Sequence, residues 1–233
     1  MHSPTPHTAN LDPSEGEITA KSPRWERRKE DRPAELLAAA LDLFVEKGFA
    51  ATRLDDVAAR AGVSKGTLYL YFKNKDDLFK AVIRESIVPL IEAFEQQLEG
   101  SDLPSDDLLT LYFRKFWADF GDTKLSGICK LMVAEAGNFP ELAVFFHTEV
   151  IERNNAILTA IVQRGIDRGD YQVANLEISV HLWMAALVMQ AVWRHSLMPC
   201  LPQAPMMSEQ IIETHITFVI ASLKYAKLKI SAS

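Results

Sequence analysis

Apolar residues along this chain recur at helical spacing almost throughout, and no stretch alternates with the two-residue period of a strand. A first long helix is predicted over about 31–47, where Leu36, Leu37, Ala40, Leu41, Phe44 and Val45 share a face, Asp31 is the candidate cap, Pro33 sits in the first turn and Gly48 is the stop. One short helix then ends in Ala61-Gly62, and a second begins at Ser64. Asn74, with Asp77 three residues on, opens a longer helix that carries Leu78, Phe79, Val82, Ile83, Ile87, Leu90, Ile91 and Phe94 toward Gly100. Pro89 lies within it, removes the hydrogen bond to the Glu85 carbonyl and predicts a kink. Further periodic stretches occupy about 105–120, 124–137, 140–168, 176–197 and 208–228, divided by Pro104, Gly121, the Gly137 to Pro140 run, Gly169-Asp170 and the loop from Pro199 to Pro205. The expected fold is all-α with about nine helices and no solenoid repeat.

The most specific signal lies between residues 52 and 79. The link between the two short helices has the length and the glycine of a helix-turn-helix that binds DNA. Gly62 can take φ > 0, which lets Val63 tuck into the corner while Ser64 caps the next helix, with Thr67 at its third position. In that helix Leu68 and Phe72 share an inward face, leaving Lys65, Gly66, Thr67, Tyr69, Leu70 and Tyr71 on the other sides. A lysine and aromatic hydroxyls on an exposed helix suit phosphates and base edges. Lys75, in the first turn of the following helix, stands where a phosphate meets the positive end of a helix dipole.

The formal charge of −6 over 233 residues argues against a nucleic-acid binder until it is divided along the chain. Residues 24–80 carry 12 Lys+Arg and 10 Asp+Glu, net +2, whereas 81–233 carry 12 and 18, net −6. A weakly basic head on an acidic body suits modest, sequence-selective binding rather than coating of DNA. Residues 1–25, with Pro4, Pro6, Pro13 and Pro23 among polar residues, read as a disordered tail. The run Arg24-Trp25-Glu26-Arg27-Arg28-Lys29 is either an arm for a DNA groove or a solvated lead-in. Two distant cysteines, Cys129 and Cys200, suggest neither a disulfide scaffold nor a zinc site and fit a reducing cytoplasm. There is no signal-like start and no uninterrupted apolar run of the roughly 18 residues of a membrane span, so no membrane partner is expected.

The block from Asp31 to Phe79 resembles the DNA-binding domain of the TetR family of bacterial transcriptional regulators. The resemblance rests on Ala-Leu-Asp-Leu-Phe-Val-Glu-Lys-Gly-Phe, Thr52, the run from Asp56 to Tyr69, Tyr71-Phe72 and the run from Lys73 to Phe79. It implies that Thr52, Ser64, Lys65, Gly66, Thr67, Tyr69, Leu70, Tyr71 and Lys75 face DNA, mostly its phosphates. Leu70 departs from the family pattern, where an aromatic residue or histidine is frequent. Leucine has no hydrogen bond to offer, so it meets a thymine methyl or faces solvent near the groove. Farther on, Met132-Val133-Ala134-Glu135-Ala136 and Phe139-Pro140-Glu141-Leu142 are similar to the C-terminal part of AcrR-like and AefR-like members. The resemblance implies a helix-turn-helix domain over 26–79, an effector-binding and dimerisation domain over 80–233, a homodimer on a palindromic operator of double-stranded DNA, and a repressor released by a small hydrophobic effector. Two recognition helices about 34–36 Å apart would read such an operator.

In the body, Phe113, Phe116, Trp117 and Phe120 form a stripe at i, i+3, i+4, i+7. With Phe146, His147, Trp183 and Met184 they are candidates to line an effector cavity, the alternative being ordinary core packing. Leu182, Ala185, Ala186, Val192 and Trp193, then Ile211, Ile212, His215, Phe218 and Val219, are candidate dimer contacts, the alternative being that they close the monomer's own bundle. No Gly-x-Ser-x-Gly elbow, phosphate-cradling glycine loop, His-Glu-x-x-His or metal-ligand cluster is present, so no enzyme, cofactor or metal is expected. The competing readings are an architectural DNA-binding protein without an effector and, behind it, an all-helical enzyme. The kinked helix at Pro89 is the expected lever between effector and DNA.

Overall fold

A computed structural model describes residues 24–201 and 208–225, so the expected tail lies outside the described residues up to position 23. Among them are nine helices and no strand. They are α1 (Arg24–Lys47), α2 (Leu54–Arg60), α3 (Lys65–Tyr71), α4 (segments Lys75–Ser86 and Val88–Glu99), α5 (Ser105–Phe116, running into a π-turn Trp117–Gly121) and α6 (Gly127–Glu135, after a 3-10 turn Lys124–Ser126). Then come α7 (Pro140–Phe146, a π-turn His147–Glu152, Arg153–Asp167), α8 (Leu176–Ser196, then a 3-10 turn Met198–Cys200) and α9 (Ser208–Tyr225).

The described residues fall into two units, and the first contributes only the opening turns of α1, up to Arg32. Helix α1 begins at Arg24 and not at an Asp31 cap. The Arg-, Lys- and Glu-rich run before Pro33 is made of good helix formers, and it extends the helix upstream through the proline. The side chains of 24–31 lie outside the description, and with them the proposed basic arm.

In the second unit, local signals act where the chain places them. Gly48 at φ 83° ends α1, and Gly62 at φ 67° turns the chain between α2 and α3. Ser64 Oγ accepts the Thr67 amide at 3.1 Å. Asn74 Oδ1 accepts the Asp77 amide at 2.7 Å, while the Asp77 carboxylate accepts the Lys73 amide at 3.1 Å, which closes a reciprocal cap at the start of α4. The head is knit by Phe44, Phe49 and Phe79, fully buried and with ring centroids 5.6–5.7 Å apart. Below it, α5 supplies the centre of the body, burying Leu108, Leu109, Tyr112 and Phe113 against α7 and α9, while α8 packs on α6 and α7. Helix α4 breaks at Ile87, two residues before Pro89, as the missing donor requires.

His215 on α9 lies edge-on to Phe113 at 4.9 Å, and its Nε2 is buried without a hydrogen-bond partner among the described residues. Burial pushes its pKa down to about 4. The unfolded chain, with an ordinary histidine pKa near about 6.5, takes up the proton first. Stability is therefore full above about pH 6.5 and declines as the pH falls toward 4, by about 1 kcal/mol at pH 5 once solvent access is allowed for. Thermal melts at pH 7.5 and 5 should show a larger loss in the natural protein than in His215→Leu.

Candidate DNA interface and effector cleft

On α3 the exposed side chains are Lys65, Tyr69 and Leu70, with Gly66 beside them; Thr67 and Tyr71 are half-buried, and Ser64 just before the helix is exposed. Ser64 and Thr67 hydroxyls lie 2.8 Å apart, so both are tied into the cap. The Lys65 ammonium pairs with Asp55 on α2 at 2.8 Å and lies 6.0 Å from the Tyr69 ring. Ser64, Lys65, Gly66, Tyr69 and Leu70 are thus the exposed positions here, with Leu68 locking the helix to the core.

Two expected contacts differ. Thr52 is 2% exposed, and its hydroxyl donates to the Gly48 carbonyl at 2.7 Å and the Leu43 carbonyl at 3.2 Å. It closes the end of α1 and has no hydroxyl left to offer a phosphate. Lys75 donates to the carbonyls of Phe49 at 2.6 Å and Ala50 at 3.0 Å, and sits 4.5 Å above the Phe49 ring. Burial holds its pKa below the usual lysine range. Its side chain pins the α1–α2 turn to α4, a role that sequence spacing conceals because the partners lie 25 and 26 residues away. The same turn reaches the body: the Ala50 amide donates to Glu135 Oε1 at 3.0 Å, and Phe49 meets Phe139 edge-on at 4.7 Å.

In the body a cleft partly open to solvent lies between α4, α5 and α7. Its walls are Ile87, Leu90, Ile91, Phe94, Phe116, Phe120, Val150 and Ile157, and its polar groups are Tyr112, Asn154, Lys115 and Asp119. The Tyr112 hydroxyl donates to Asn154 Oδ1 at 3.0 Å, and Asn154 Nδ2 donates to the Val150 carbonyl at 2.9 Å. Burial pushes the Tyr112 hydroxyl above its usual range, so it stays a neutral donor. Lys115 and Asp119 pair at 3.0 Å. Both π-turns border the cleft, one through Asp119 and Phe120, the other through Val150, and such bulges recur at functional sites. The break in α4 borders it through Ile87 and Leu90. Arg153 on α7 grips Glu95 on α4 bidentately, at 2.6 and 3.0 Å.

Of the eight candidate effector residues, Phe116 and Phe120 line this cleft. Phe113, Trp117, Phe146 and Trp183 are buried and do not line it; Phe113 and Trp117 lie on the side of the stripe that faces neighbouring helices. His147 points outward and pairs with Glu152 at 3.3 Å, and Met184 Sδ lies 3.9 Å behind the Tyr112 hydroxyl. Tyr112 and Asn154 went unmarked, since nothing local joins residues 42 apart. Among the described residues no group of His, Cys, Asp and Glu could hold a metal. Ser126 Oγ lies 2.9 Å from His195 Nε2, but Ser126 is fully buried and its hydroxyl is also within bonding distance of the Gly121 and Thr123 carbonyls, so the pair fastens α8 rather than presenting a nucleophile.

Helix α8 carries an apolar stripe that the monomer leaves uncovered: Ile178, Leu182, Ala185, Ala186, Met189 and Trp193 are exposed. On α9, Phe218 is 66% exposed. Ile212 and Val219 are instead buried within the chain's own bundle, since that face of α9 meets α5; Ile211, His215 and Val192 are half-buried. The segment Leu176–Cys200 has a mean hydropathy of 1.4 and is long and apolar enough to cross a membrane, although no uninterrupted apolar run marked it in the sequence. Only Val180, Trp183, Leu187 and Ala191 of it are buried, as in a helix with one face uncovered.

The chain matches two family models, "Bacterial regulatory proteins, tetR family" over residues 36–82 and "Tetracyclin repressor-like, C-terminal domain" over 104–200. The fatty acid metabolism regulator protein of Bacillus subtilis is 25% identical over 144 residues, 62% of this chain and 73% of that one. The transcriptional activator FasR of Mycolicibacterium smegmatis is 39% identical over 70 residues, 30% of this chain and 32% of its own length. In structure, the regulator FadR from Bacillus subtilis, solved in complex with stearoyl-CoA, superposes with a TM-score of 0.68 over 82% of this chain and 98% of that one, at 19% identity. The helix-turn-helix of α2 and α3, the helical body and these two matches together make the chain a member of the TetR family of ligand-responsive, DNA-binding transcriptional regulators.

Proposed function

We propose that this regulator acts as a homodimeric repressor whose α3 helices read a palindromic operator and whose α4–α5–α7 cleft takes a long apolar effector of the fatty-acyl type. The cleft carries this reading: eight apolar walls with one part-buried Tyr112–Asn154 pair suit a flexible hydrocarbon with few polar groups. The relative named for fatty acid metabolism and the stearoyl-CoA complex of a like fold support the same chemistry. Lys115 and Asp119 are the charged groups available to a polar head. On this reading the head comprises residues 26–79 and the effector and dimer surfaces lie beyond. A ligand seated against Ile87 and Leu90 presses on the break in α4, the helix that leads into the head.

Stearoyl-CoA, stearic acid and butyryl-CoA, each added to the pure protein on its operator, separate chain length from head group. At about 100 times its Kd a true effector stabilises the fold by about 2.7 kcal/mol and should raise the melting midpoint by several degrees. The long-chain compounds are expected to do so and to release DNA. If none of the three shifts the melt or the operator affinity, the acyl reading is lost. A reporter under the operator gives the sign, since one relative is an activator by name.

A further inference from the structure

Gly127, which opens α6, takes ordinary helical angles, φ −62° and ψ −20°, so its own backbone does not ask for glycine, and alanine would favour the helix. The space beside it does ask. A Cβ there would stand 2.6 and 2.7 Å from the two γ-carbons of Val45 on α1, well inside normal carbon packing. The Val45 Cβ, which no side-chain rotation moves, would itself be 3.2 Å away. Val45 therefore packs straight onto the α6 backbone. The two helices meet at two further points. Lys124, in the turn that leads into α6, pairs with Asp42, three residues before Val45, at 2.6 Å. Glu135, the last residue of α6, accepts the amide of Ala50, just past the end of α1, at 3.0 Å. From Asp42 to Ala50, then, the end of α1 is seated along the length of α6.

We infer that the Val45–Gly127 contact sets how far apart the two recognition helices stand, and with it the half-site spacing that the regulator accepts. This rests on the homodimer and palindromic operator proposed above. Phe44, Val57 and Leu68 share one core, and Thr52 bonds the Leu43 and Gly48 carbonyls, so α2 and α3 follow wherever α1 is seated. Widening a 2.6 Å overlap to normal packing moves α1 by about 1 Å. In a two-fold dimer both heads move alike, so the α3 helices shift relative to each other by about 2 Å, against about 3.4 Å for one base pair. Spacing is thus read by a pair that neither lines the cleft nor lies on α3.

The full-length natural protein first selects its operator from a random duplex pool. The enriched half-sites are then presented with one base pair removed between them, with none changed, and with one added. The natural protein is expected to lose about tenfold in affinity at either altered spacing. Gly127→Ala should keep the half-site sequence but either prefer an altered spacing or discriminate by less than about threefold. Val45→Ala, which removes both γ-carbons and loosens the same contact, should accept all three spacings within about threefold, and it carries the test if Gly127→Ala fails to fold in a thermal melt. The double variant, in which the new Cβ occupies the vacated space, should recover most of the natural preference. Either folded single variant ranking the three duplexes as the natural protein does overturns the inference, and so does a double variant that recovers nothing, or a natural protein indifferent to spacing. Failure of the natural protein to enrich any paired half-sites overturns the dimeric reading itself, and the inference with it.

Discussion

A protein carrying Leu182→Asp is expected to sediment as a monomer and to bind its operator about a hundredfold more weakly. Leu182 is 62% exposed in the single chain and sits in the middle of the α8 stripe that runs from Ile178 to Trp193. In the proposed dimer the same patch would meet itself across a two-fold axis, so each substitution would enter the interface twice. Burying an unpaired carboxylate costs several kcal/mol per site, and two of them exceed what a modest apolar interface returns. Because the side chain is exposed in the monomer, helix content and body packing should be unchanged. A monomer grips one half-site, and the loss of the second accounts for the weakened binding. A variant that stays dimeric at micromolar concentration would show that the subunits meet through another face.

Phe49→Ala is expected to cost about 3–5 kcal/mol of stability and to abolish operator binding at physiological temperature. The ring is fully buried and touches Phe44, Phe79 and Phe139, and the Lys75 ammonium lies on its face. Removing it opens a cavity where α1, α4 and α7 converge, in a turn held by the backbone bonds of Lys75 and Glu135 and so poorly able to collapse. Urea denaturation measures the loss. A decrease below about 1 kcal/mol would mean that the turn does close over the gap.

Much of the head was legible because its instructions are local. Ser64 with Thr67, Asn74 with Asp77, and the glycines at 48 and 62 act within three or four residues, where sequence spacing is spatial distance. The body was legible as helices and much less so as a site. The stripe Phe113, Phe116, Trp117 and Phe120 is broad enough to face two directions, and only the placement of α4, α7 and α9 decides that Phe116 and Phe120 meet the cleft while Phe113 meets His215. The same holds on α9, where Phe218 and Val219 are neighbours in sequence with opposite fates. Lys75 reads locally as a phosphate clamp and is held by carbonyls two helices back. Each of these depends on tertiary packing, which overrides what a single helix can announce.

The turn at Gly48 to Ala50 gives the head a second mooring. Besides the continuous chain of α4, Ala50 joins Glu135, Phe49 meets Phe139, and Asp42 on α1 pairs with Lys124 at 2.6 Å. A rigid piece tethered at one point can pivot freely, but one tethered at several points moves only along the path that all of them allow. Any push on α4 must then either carry the α6–α7 corner with it or break that clasp. A ligand's push on α4 would thus be resisted by whichever of these contacts it has to open.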